Sequence, residues 1–296
     1  MSLKQIIAYN VSKLSPCLFF KIAYYHNRKK PLNLKSPKDI SELWIKRVLD
    51  GKINDIYYLA DKLKVRDYVK SLGLGEILTP LLGVYHSYKE IDLNSLPERF
   101  ALKVNFGAGM NVICKDKSKF DFSVEGPRLD KWLTKAGTYS FSEAHYNLIT
   151  PKIICEEYID DGSGHFPTDY KFLCLCGKPF CVLACSDRDS ANPSYMPYTL
   201  GWDPRFDYVR GLHATNTIPK PANFEDMVEV AEQISKGIDM VRVDLYSNGE
   251  KIWFGEVTLT PAGCIFHNWT QKALDDMGEY YRLISKNNEK NSKCSV

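Results

Sequence analysis

The sequence lacks several patterns that would point to common protein classes. Its 296 residues contain no run of about 18 apolar residues, so we expect no transmembrane helix. An apolar patch near the N-terminus is interrupted by Pro16 and Lys21 and precedes no small-residue cleavage site, which argues against a signal peptide. No internal repeat is present. The length suits about two domains, and the ordinary hydrophobic fraction of 44% predicts a packed core.

Cysteine pairs at metal-binding spacing are also missing. The nine cysteines include no Cys-x-x-Cys pair, which a zinc site of the usual kind needs. Four of them, Cys174, Cys176, Cys181 and Cys185, fall in apolar, strand-like runs. We therefore expect buried, reduced thiols in a cytoplasmic protein.

The net charge of +3 is small but unevenly distributed. Residues 1–50 hold ten Lys or Arg and three Asp or Glu, a net charge of +7, with Arg28, Lys29 and Lys30 at the centre. No nucleic-acid-binding motif accompanies this charge, so no nucleic acid partner is expected. A solvated face is the commoner explanation. The alternative is an acidic partner, such as a glycan, a nucleotide sugar or a membrane surface.

The most informative stretch is residues 240–263, MVRVDLYSNGEKIWFGEVTLTPAG. Its alternation and its Asn-Gly turn predict two antiparallel strands, over 241–246 and 251–257. Asp244 and Glu256, near the strand ends, can converge as Mg²⁺ requires, with phosphate and water as further ligands. Arg242 leaves the same face as Asp244 and suits a phosphorylated or tetrahedral intermediate. Solvated hairpin carboxylates are the commoner alternative.

A second stretch, residues 100–117, FALKVNFGAGMNVICKDK, predicts strand, turn and strand. Lys103 lies at the polar phase of the first strand, and Gly107 and Gly109 occupy the turn. Glycines let backbone N–H groups approach an anion, and the lysine can reach the same phosphates. Neither a Walker A loop nor a Rossmann turn fits this order, and a simple hairpin turn is the alternative.

The remaining elements follow from periodicity and turn residues. Helices are predicted within residues 1–35, 36–50, 55–72, 125–148 and 224–238. Strands are predicted within residues 77–85, 151–159, 169–176 and 178–185. Residues 188–207 form a predicted long loop, of a kind that often carries function. The polar tail from Lys286 is expected to fray.

In their order along the chain, these stretches resemble the ATP-grasp superfamily, and more narrowly its TupA-like branch, which is named for teichuronopeptide biosynthesis. The resemblance covers about residues 60–269. It is carried by Ala60-Asp61-Lys62, Val65-Arg66-Asp67-Tyr68-Val69, Leu81-Leu82-Gly83-Val84-Tyr85, Leu96-Pro97-Glu98-Arg99-Phe100-Ala101-Leu102-Lys103, Ile113-Cys114-Lys115-Asp116-Lys117, Asp169-Tyr170-Lys171-Phe172 and Phe254-Gly255-Glu256-Val257-Thr258-Leu259-Thr260-Pro261-Ala262-Gly263. Each motif is modest, and their shared order and spacing are specific.

The resemblance implies an α+β fold of the ATP-grasp type, in which two α+β subdomains clasp ATP and follow an N-terminal α/β domain. We expect the N-terminal domain with its basic segment in residues 1–90. The small lid subdomain is expected in residues 91–155, and the C-terminal subdomain with the metal site in residues 156–296.

The resemblance also implies roles for individual residues. ATP contacts are expected from Lys62, Lys103, the loop residues Gly107, Ala108 and Gly109, the adenine hinge Glu156, Glu157, Tyr158 and Ile159, and the ribose-binding Asp169. The candidate catalytic residues are Arg242 and Lys171, the candidate Mg²⁺ ligands are Asp244, Glu256 and Thr258, and the candidate substrate contacts are Arg188 and His267.

Two positions depart from the family pattern. Thr258 stands where the superfamily usually has Asn, two residues after the second carboxylate, and a hydroxyl is a poorer metal ligand. Phe106 stands where the branch often has His in the glycine loop. Neither departure removes a carboxylate.

The resemblance implies a Mg²⁺- and ATP-dependent ligase that activates a carboxylate as an acyl phosphate and joins it to an amine. For this branch, the carboxylate is expected on a uronic acid of a bacterial capsule, cell envelope polysaccharide or precursor, and the amine on an amino acid or similar compound. We expect a cytoplasmic enzyme, peripheral at the inner membrane face through its basic segment. The alternatives are a sugar kinase on the same fold and a non-catalytic nucleotide-binding assembly protein, which Thr258 favours.

Overall fold

A computed structural model describes residues 3–162, 164–190, 193–210 and 217–293. Its α-helices are α1 (Leu3–Leu14), α2 (Pro16–Arg28), α3 (Ile40–Leu49), α4 (Val65–Ser71), α5 (Phe122–Leu133), α6 (Phe224–Ser235) and α7 (Gln271–Lys293). Its strands are β1 (Leu81–Tyr85), β2 (Phe100–Val104), β3 (Asn111–Cys114), β4 (Ile153–Glu157), β5 (Asp169–Leu175), β6 (Lys178–Ser186), β7 (Ser194–Tyr198), β8 (Met240–Ser247) and β9 (Ile252–Thr258). Short 3₁₀ helices include Asn54–Ala60, Phe141–Leu148 and Pro261–Cys264.

The strands form two antiparallel sheets, as an α+β fold requires. The first has the order β1-β4-β2-β3 and the second the order β7-β6-β5-β8-β9. The first sheet crosses both expected edges of the lid, because β1 precedes residue 91 and β4 continues past residue 155. The domain boundaries stay a prediction, but β1 and β4 both belong to the first sheet.

The N-terminal region differs from the expected α/β domain. Within residues 3–80, the structure describes helices and turns and no strand. The next element, β1, pairs with β4 of the first sheet. The helix α3 buries Ile40, Trp44 and Val48 along one face. The Trp44 indole N–H donates to the carbonyl oxygen of Leu259 at 2.6 Å. The apolar face of α3 thus packs on the C-terminal half of the chain and needs no sheet of its own.

Three other segments also depart from the sequence predictions. The predicted loop 188–207 contains β7, an edge strand whose Pro197 fits because an edge residue need not donate to a ladder. The predicted helix 125–148 is split, since α5 ends at Leu133 and a 3₁₀ helix follows from Phe141. The tail expected to fray from Lys286 continues α7 to Lys293, because an established helix extends more easily than it starts.

The five-stranded sheet has two chemically different faces. One face carries Phe172 and Val243, both fully buried, and packs on α6, where the rings of Phe172 and Phe224 stack with centroids 5.9 Å apart. The opposite face bears the charged residues described below. No helix in the described ranges is both long and apolar enough to span a membrane. The eight cysteines that the structure describes are free thiols.

Candidate active site

Strand alternation places a row of charged side chains on one face of the five-stranded sheet. Asp169 and Lys171 lie two residues apart on β5, and Arg242 and Asp244 lie two apart on β8. The register pairs Lys171 with Asp244 and Asp244 with Glu256 on β9. Because side chains directly opposite each other share a face, three adjacent strands bring these five residues together.

A β-bulge at Gly255 sets the register of Glu256. Asp244 pairs with Glu256 and the next residue, Leu245, pairs with Phe254, so Gly255 has no partner on β8. A Cβ atom on Gly255 would lie 2.8 Å from the carbonyl oxygen of Asp244, so only glycine fits without a shift of the backbone. Bulges of this kind re-aim side chains near active sites. The sequence predictions missed this role, although the Phe-Gly-Glu order inside a strand is its signal.

Asp244 is the centre of the charge network. Its carboxylate accepts hydrogen bonds from Arg242 Nε and Nη2, each at 2.6 Å, and from Lys171 Nζ at 2.6 Å. Glu256 accepts from Arg242 Nη2 at 3.1 Å and lies 3.4 Å from Lys62 Nζ. Burial raises the pKa of Asp244, but the charges of Arg242 and Lys171 outweigh burial and hold it below its ordinary value. Burial also raises the pKa of Glu256, yet Lys62 and Arg242 bring it below normal.

Asp169 has one oxygen engaged and one without a partner. Its Oδ2 atom accepts from Lys171 Nζ at 2.5 Å and from Arg188 Nη1 at 3.0 Å. Its Oδ1 atom is buried and has no hydrogen-bond partner among the described residues. Burial is the main reason that the pKa of Asp169 lies above its ordinary value. A buried acceptor without a donor is costly, so this oxygen suits a ligand that brings a hydroxyl or N–H group.

The glycine loop lies over the charged network. Lys62 Nζ donates to the carbonyl oxygen of Gly107 at 2.7 Å. Gly107 and Gly109 have φ values of 68° and 69°, which disfavour other residues. A Cβ atom on Gly107 would also collide with the Tyr139 hydroxyl, at 2.0 Å. Ala108 and Gly109 are exposed, so their backbone is accessible to a ligand.

Asn105, just before this loop, is a residue that the sequence predictions treated only as part of a turn. It is 1% exposed, and its Nδ2 atom donates to Asp61 Oδ1 at 2.8 Å. Its carbonyl accepts from the Lys62 N–H at 2.8 Å, and its Oδ1 accepts from the Lys152 N–H at 2.8 Å. The neighbouring Phe106 is fully buried and packs edge-on against Tyr139. Phe106, which stands where the branch often has His, therefore supports the glycine loop from the core.

The expected adenine hinge is divided by the end of β4. Glu156 lies within β4, and its carboxylate is buried between Arg66 Nη1 and Lys103 Nζ, each at 2.7 Å. Glu157 closes the strand, and its N–H donates to the carbonyl oxygen of Pro80 at 3.0 Å. Residues 158–159 follow the strand and lie outside the ladder. Adenine pairing at this segment stays a prediction, while the side chain of Glu156 has a structural role.

A cavity of about 300 Å³, here called the charged cavity, lies between the glycine loop and the sheet. Its lining includes five cations and three carboxylates, a net charge of +2. They are Lys62, Lys103, Lys171, Arg188, Arg242, Asp169, Asp244 and Glu256. The rest of the lining is formed by residues 107–111, which include the glycine loop, and by Tyr246 and Gly255. Excess positive charge with exposed backbone N–H groups suits a polyphosphate.

The carboxylates of Asp244 and Glu256 fit a magnesium ion bound together with phosphates. They are directly opposite on adjacent strands, and their low pKa values keep them ionised at neutral pH. Within the described ranges, no group of three or more His, Cys, Asp or Glu side chains is placed to hold a metal alone. Mg²⁺ commonly takes one or two carboxylates and completes its shell with phosphate and water. Thr258 donates to Glu256 Oε1 at 3.3 Å, and its role as a metal ligand stays a prediction.

A second cavity of about 310 Å³, here called the aromatic cavity, adjoins the first. Lys171 and Arg242 line both cavities. The other residues around it are Leu173, Leu183, Cys185, Tyr195, Pro261, Ala262, Phe266, His267, Asn268 and Trp269. The structure thus separates the two expected substrate contacts, since His267 lines the aromatic cavity and Arg188 the charged cavity.

One comparison with known proteins identifies a family. A family model described as TupA-like ATPgrasp matches residues 42–282. Among solved structures, the chain is similar to a D-alanine–D-alanine ligase from Bacillus anthracis complexed with ATP, with 15% identity, a TM-score of 0.44 and coverage of 78% of this chain and 68% of that one. The chain is also similar to the D-cycloserine synthetase DcsG, with 14% identity, a TM-score of 0.42 and coverage of 76% of this chain and 69% of that one.

An L-amino acid ligase from Bacillus licheniformis is also similar, with 14% identity and a TM-score of 0.40, over 70% of this chain and 41% of that chain. The comparison with curated proteins found no match. The family match extends from α3 into α7. It therefore includes both sheets and both cavities.

Proposed function

Because the chain belongs to the TupA-like ATP-grasp family, we propose that it is an ATP-dependent carboxylate–amine ligase that works through an acyl phosphate. The observation that carries this proposal is the shared wall of the two cavities. Lys171 and Arg242 face the charged cavity on one side and the aromatic cavity on the other. A reaction between a phosphate group and an organic carboxylate needs cations at the point where the two ligands meet.

On the nucleotide side, Lys62, Lys103 and the backbone of the glycine loop neutralise the phosphates of ATP. The unpartnered Oδ1 of Asp169 accepts a hydrogen bond from a ribose hydroxyl. Asp244 and Glu256 hold Mg²⁺, which neutralises phosphate charge when it is bound. Residues 158–159 remain our candidates for adenine pairing, because their backbone lies outside the β-ladder.

At the shared wall, the acceptor carboxylate lies between Lys171 and Arg242. One of its oxygens attacks the γ-phosphorus of ATP, and the bond to ADP breaks with its electron pair on ADP. The amine nitrogen then adds to the carbonyl carbon, and hydrogen phosphate leaves with the C–O electron pair and a proton from the amine. Arg242 stabilises the oxyanion of the tetrahedral state. Closure of the first sheet over the site excludes water that would hydrolyse the acyl phosphate.

The acceptor in this proposal is a uronic acid of a bacterial surface polysaccharide or of its precursor, and the donor is an amino acid or another amine. The link to polysaccharide synthesis rests on the resemblance to the TupA-like branch, which is named for teichuronopeptide biosynthesis. Tyr195, Phe266 and Trp269 offer flat apolar surfaces for a sugar ring, and Asn268 offers hydrogen bonds to hydroxyl groups. No Asp or Glu occurs among the described residues lining this cavity, so nothing there repels an acceptor carboxylate. The reaction takes place in the cytoplasm, where ATP is available.

The test is hydroxylamine trapping with ATP, Mg²⁺ and a uronic acid or its nucleotide sugar. A ligase that forms an acyl phosphate releases ADP and yields a hydroxamate, whereas a sugar kinase yields a stable phosphosugar. The matched control is the corresponding neutral sugar, which lacks the carboxylate. Phosphorylation of the neutral sugar would replace the ligase proposal with the kinase. Nucleotide binding without turnover of any acceptor tried would favour the assembly protein.

A further inference from the structure

The N-terminal helices present an apolar stripe that the catalytic proposal does not use. Leu14, Leu18, Ile22 and Tyr25 are 87%, 49%, 56% and 59% exposed. Leu18, Ile22 and Tyr25 are spaced by four and three residues, which places them on one face of α2, and Leu14 ends α1 just before this helix. The remaining exposed large apolar residues in the described ranges are scattered over the chain, for example Val124 and Leu283. A contiguous stripe of this kind indicates a contact surface.

The opposite side of α2 holds the helix firmly on the protein. Phe20 and Tyr24 are fully buried, and the Tyr24 hydroxyl donates to Asp39 Oδ2 at 2.5 Å. Arg28 donates to the carbonyl oxygens of Trp269 at 2.7 Å and Ile265 at 2.9 Å, and also to that of Phe266. The stripe is therefore presented by an anchored helix, and that helix is joined directly to the loop that lines the aromatic cavity.

This anchoring changes how the basic cluster is interpreted. Arg28 donates its hydrogen bonds to the three carbonyl oxygens, and Lys30 forms an ion pair with the buried Asp39 at 3.2 Å. Of the three cluster residues, Lys29 is the one whose side chain is exposed on the helix end. The cations that accompany the stripe are instead Lys21 and Lys29, with His26 beside them. With Ile22 and Tyr25 they line a shallow groove of about 370 Å³.

The charge of the segment identifies its partner. Residues 1–38 contain seven Lys, one Arg and no Asp or Glu. An apolar stripe bordered by lysines and free of acidic residues has the composition of a helix that lies in the interface of an anionic bilayer. Lysines at that depth are attracted to lipid phosphates, while the apolar side chains enter the acyl boundary. A second copy of this chain would bring the same excess of lysines, so the segment is not complementary in charge to itself.

We propose that α2, with Leu14 at the adjoining end of α1, binds the surface of anionic phospholipid membranes through Leu18, Ile22 and Tyr25, with Lys21 and Lys29 against the lipid phosphates. Apolar insertion and phosphate attraction act together, because either signal alone gives weak binding. The contact holds the loop lining the aromatic cavity near the lipid surface through Arg28. The inference does not depend on the ligase activity, and its test needs no ATP.

The test is vesicle flotation of the full chain with phosphatidylcholine vesicles and with equimolar phosphatidylcholine and phosphatidylglycerol. We expect binding to the anionic vesicles only. Leu18→Gln with Ile22→Gln should lower the partition coefficient at least about tenfold. The matched control, Val124→Gln with Leu283→Gln, changes two equally exposed apolar residues elsewhere and should bind as the wild type does. Thermal unfolding of each variant checks that the chain is folded.

The charge component has its own control pair. Lys21→Gln with Lys29→Gln should weaken binding to the anionic vesicles, and the exposed pair Lys131→Gln with Lys135→Gln should not. Equal binding to both vesicle types, no binding at all, or equal losses in both members of either pair would overturn the proposal. Sedimentation velocity covers the remaining possibility. A dimer that the stripe variant dissociates, with vesicle binding unchanged, would make the stripe a self-association surface.

Discussion

The charged cavity and the aromatic cavity occupy one face of the same sheet and have nearly equal volumes, about 300 and 310 Å³. Eight of the fifteen residues lining the first are charged, against two of twelve around the second. The two charged residues of the second are Lys171 and Arg242, which also belong to the first. The difference fits our proposal that one face is divided between a polyphosphate and an organic acceptor, with the reacting groups at the boundary.

The division follows the strands. On β5, β8 and β9, the residues facing the cavities are largely ionic, and each buried carboxylate has a cation within 3.5 Å. On β6 and β7, the same face carries Leu183, Cys185 and Tyr195. Buried charges need partners, so they collect where strands can pair opposite charges across the sheet. Apolar residues leave the neighbouring strands free to contact a less polar ligand.

The largest effect is expected at the wall that both cavities share. Arg242→Ala should lower the rate of hydroxamate formation by about 10²–10³-fold, because it removes the cation that stabilises the oxyanion. Arg242→Lys keeps the charge but loses the paired contacts to Asp244 and should recover only part of the rate. Single-turnover kinetics measure the rate of hydroxamate formation for each variant. Arg205→Ala, which alters an ion pair with Asp207 outside both cavities, is the control and should leave the rate unchanged.

The second effect tests the charged cavity alone. For the wild type, ATP with Mg²⁺ at about 100 times its Kd should add about 2.7 kcal/mol to the free energy of unfolding. Asp244→Asn with Glu256→Gln should abolish this gain, because the metal loses both carboxylates. Thermal unfolding with and without the ligands measures it. A full gain in this variant would contradict the metal assignment, and Asp116→Asn with Glu125→Gln serves as the control outside the cavities.

A reciprocal pair of variants separates the two ligands. Lys62→Gln should raise the KM for ATP about tenfold and leave the acceptor KM unchanged, since one phosphate contact is worth about 1.4 kcal/mol. His267→Ala should raise the acceptor KM and leave the KM for ATP unchanged, because the exposed side chain of His267 lines the aromatic cavity and not the charged cavity. Steady-state kinetics with each substrate varied give both constants. If both variants raised both constants equally, the separation of the cavities would be wrong.

The smallest effect is a difference in acid stability. The pKa of Asp244 is lower in the folded chain than in the unfolded chain, so the unfolded state binds more protons as the pH falls. The stabilising contribution is complete above the unfolded value of about 3.9 and is lost as the pH falls through the folded value. Asp244→Asn should therefore show a shallower loss of unfolding free energy below about pH 4 in urea titrations.

Tyr195→Phe is the matching change in the aromatic cavity. This change alters a lining residue without removing an ionised carboxylate. The unfolding free energy of this variant should therefore fall with decreasing pH as steeply as that of the wild type. A slope for Asp244→Asn that equals the wild-type slope would mean that this carboxylate does not contribute to acid sensitivity.

Much of the charged cavity was predictable from the sequence. Alternation along β8 placed Arg242 and Asp244 on one face, and the Asn-Gly turn predicted that the strand of Glu256 lies beside them, although the face of Glu256 depends on the bulge at Gly255. Both signals are local, since they depend on residues two apart or on one hairpin. The residues that support the site were harder to find. Asn105, Gly255 and Arg28 act through contacts with residues that the periodicity of their own segment does not indicate.

The aromatic cavity was not predictable in the same way. Its residues come from β5, β6, β7, β8 and the segment after β9, and the sequence predicted a loop where β7 lies. An edge strand with Pro197 and a turn rich in positive φ, at Ala262 and Cys264, carry weak local signals. Their positions depend on packing against distant elements.

By itself, the sequence determined the hairpin of β8 and β9, the shared face of Arg242 and Asp244 and, through ordered motifs, the family. These follow from the two-residue repeat of strands and from turn chemistry, which act over a few residues. Only the tertiary structure decided that Arg28 supports the loop lining the aromatic cavity and that two cavities meet at Lys171 and Arg242. Such contacts join residues up to 241 positions apart, and burial of the whole chain, not local preference, selects them.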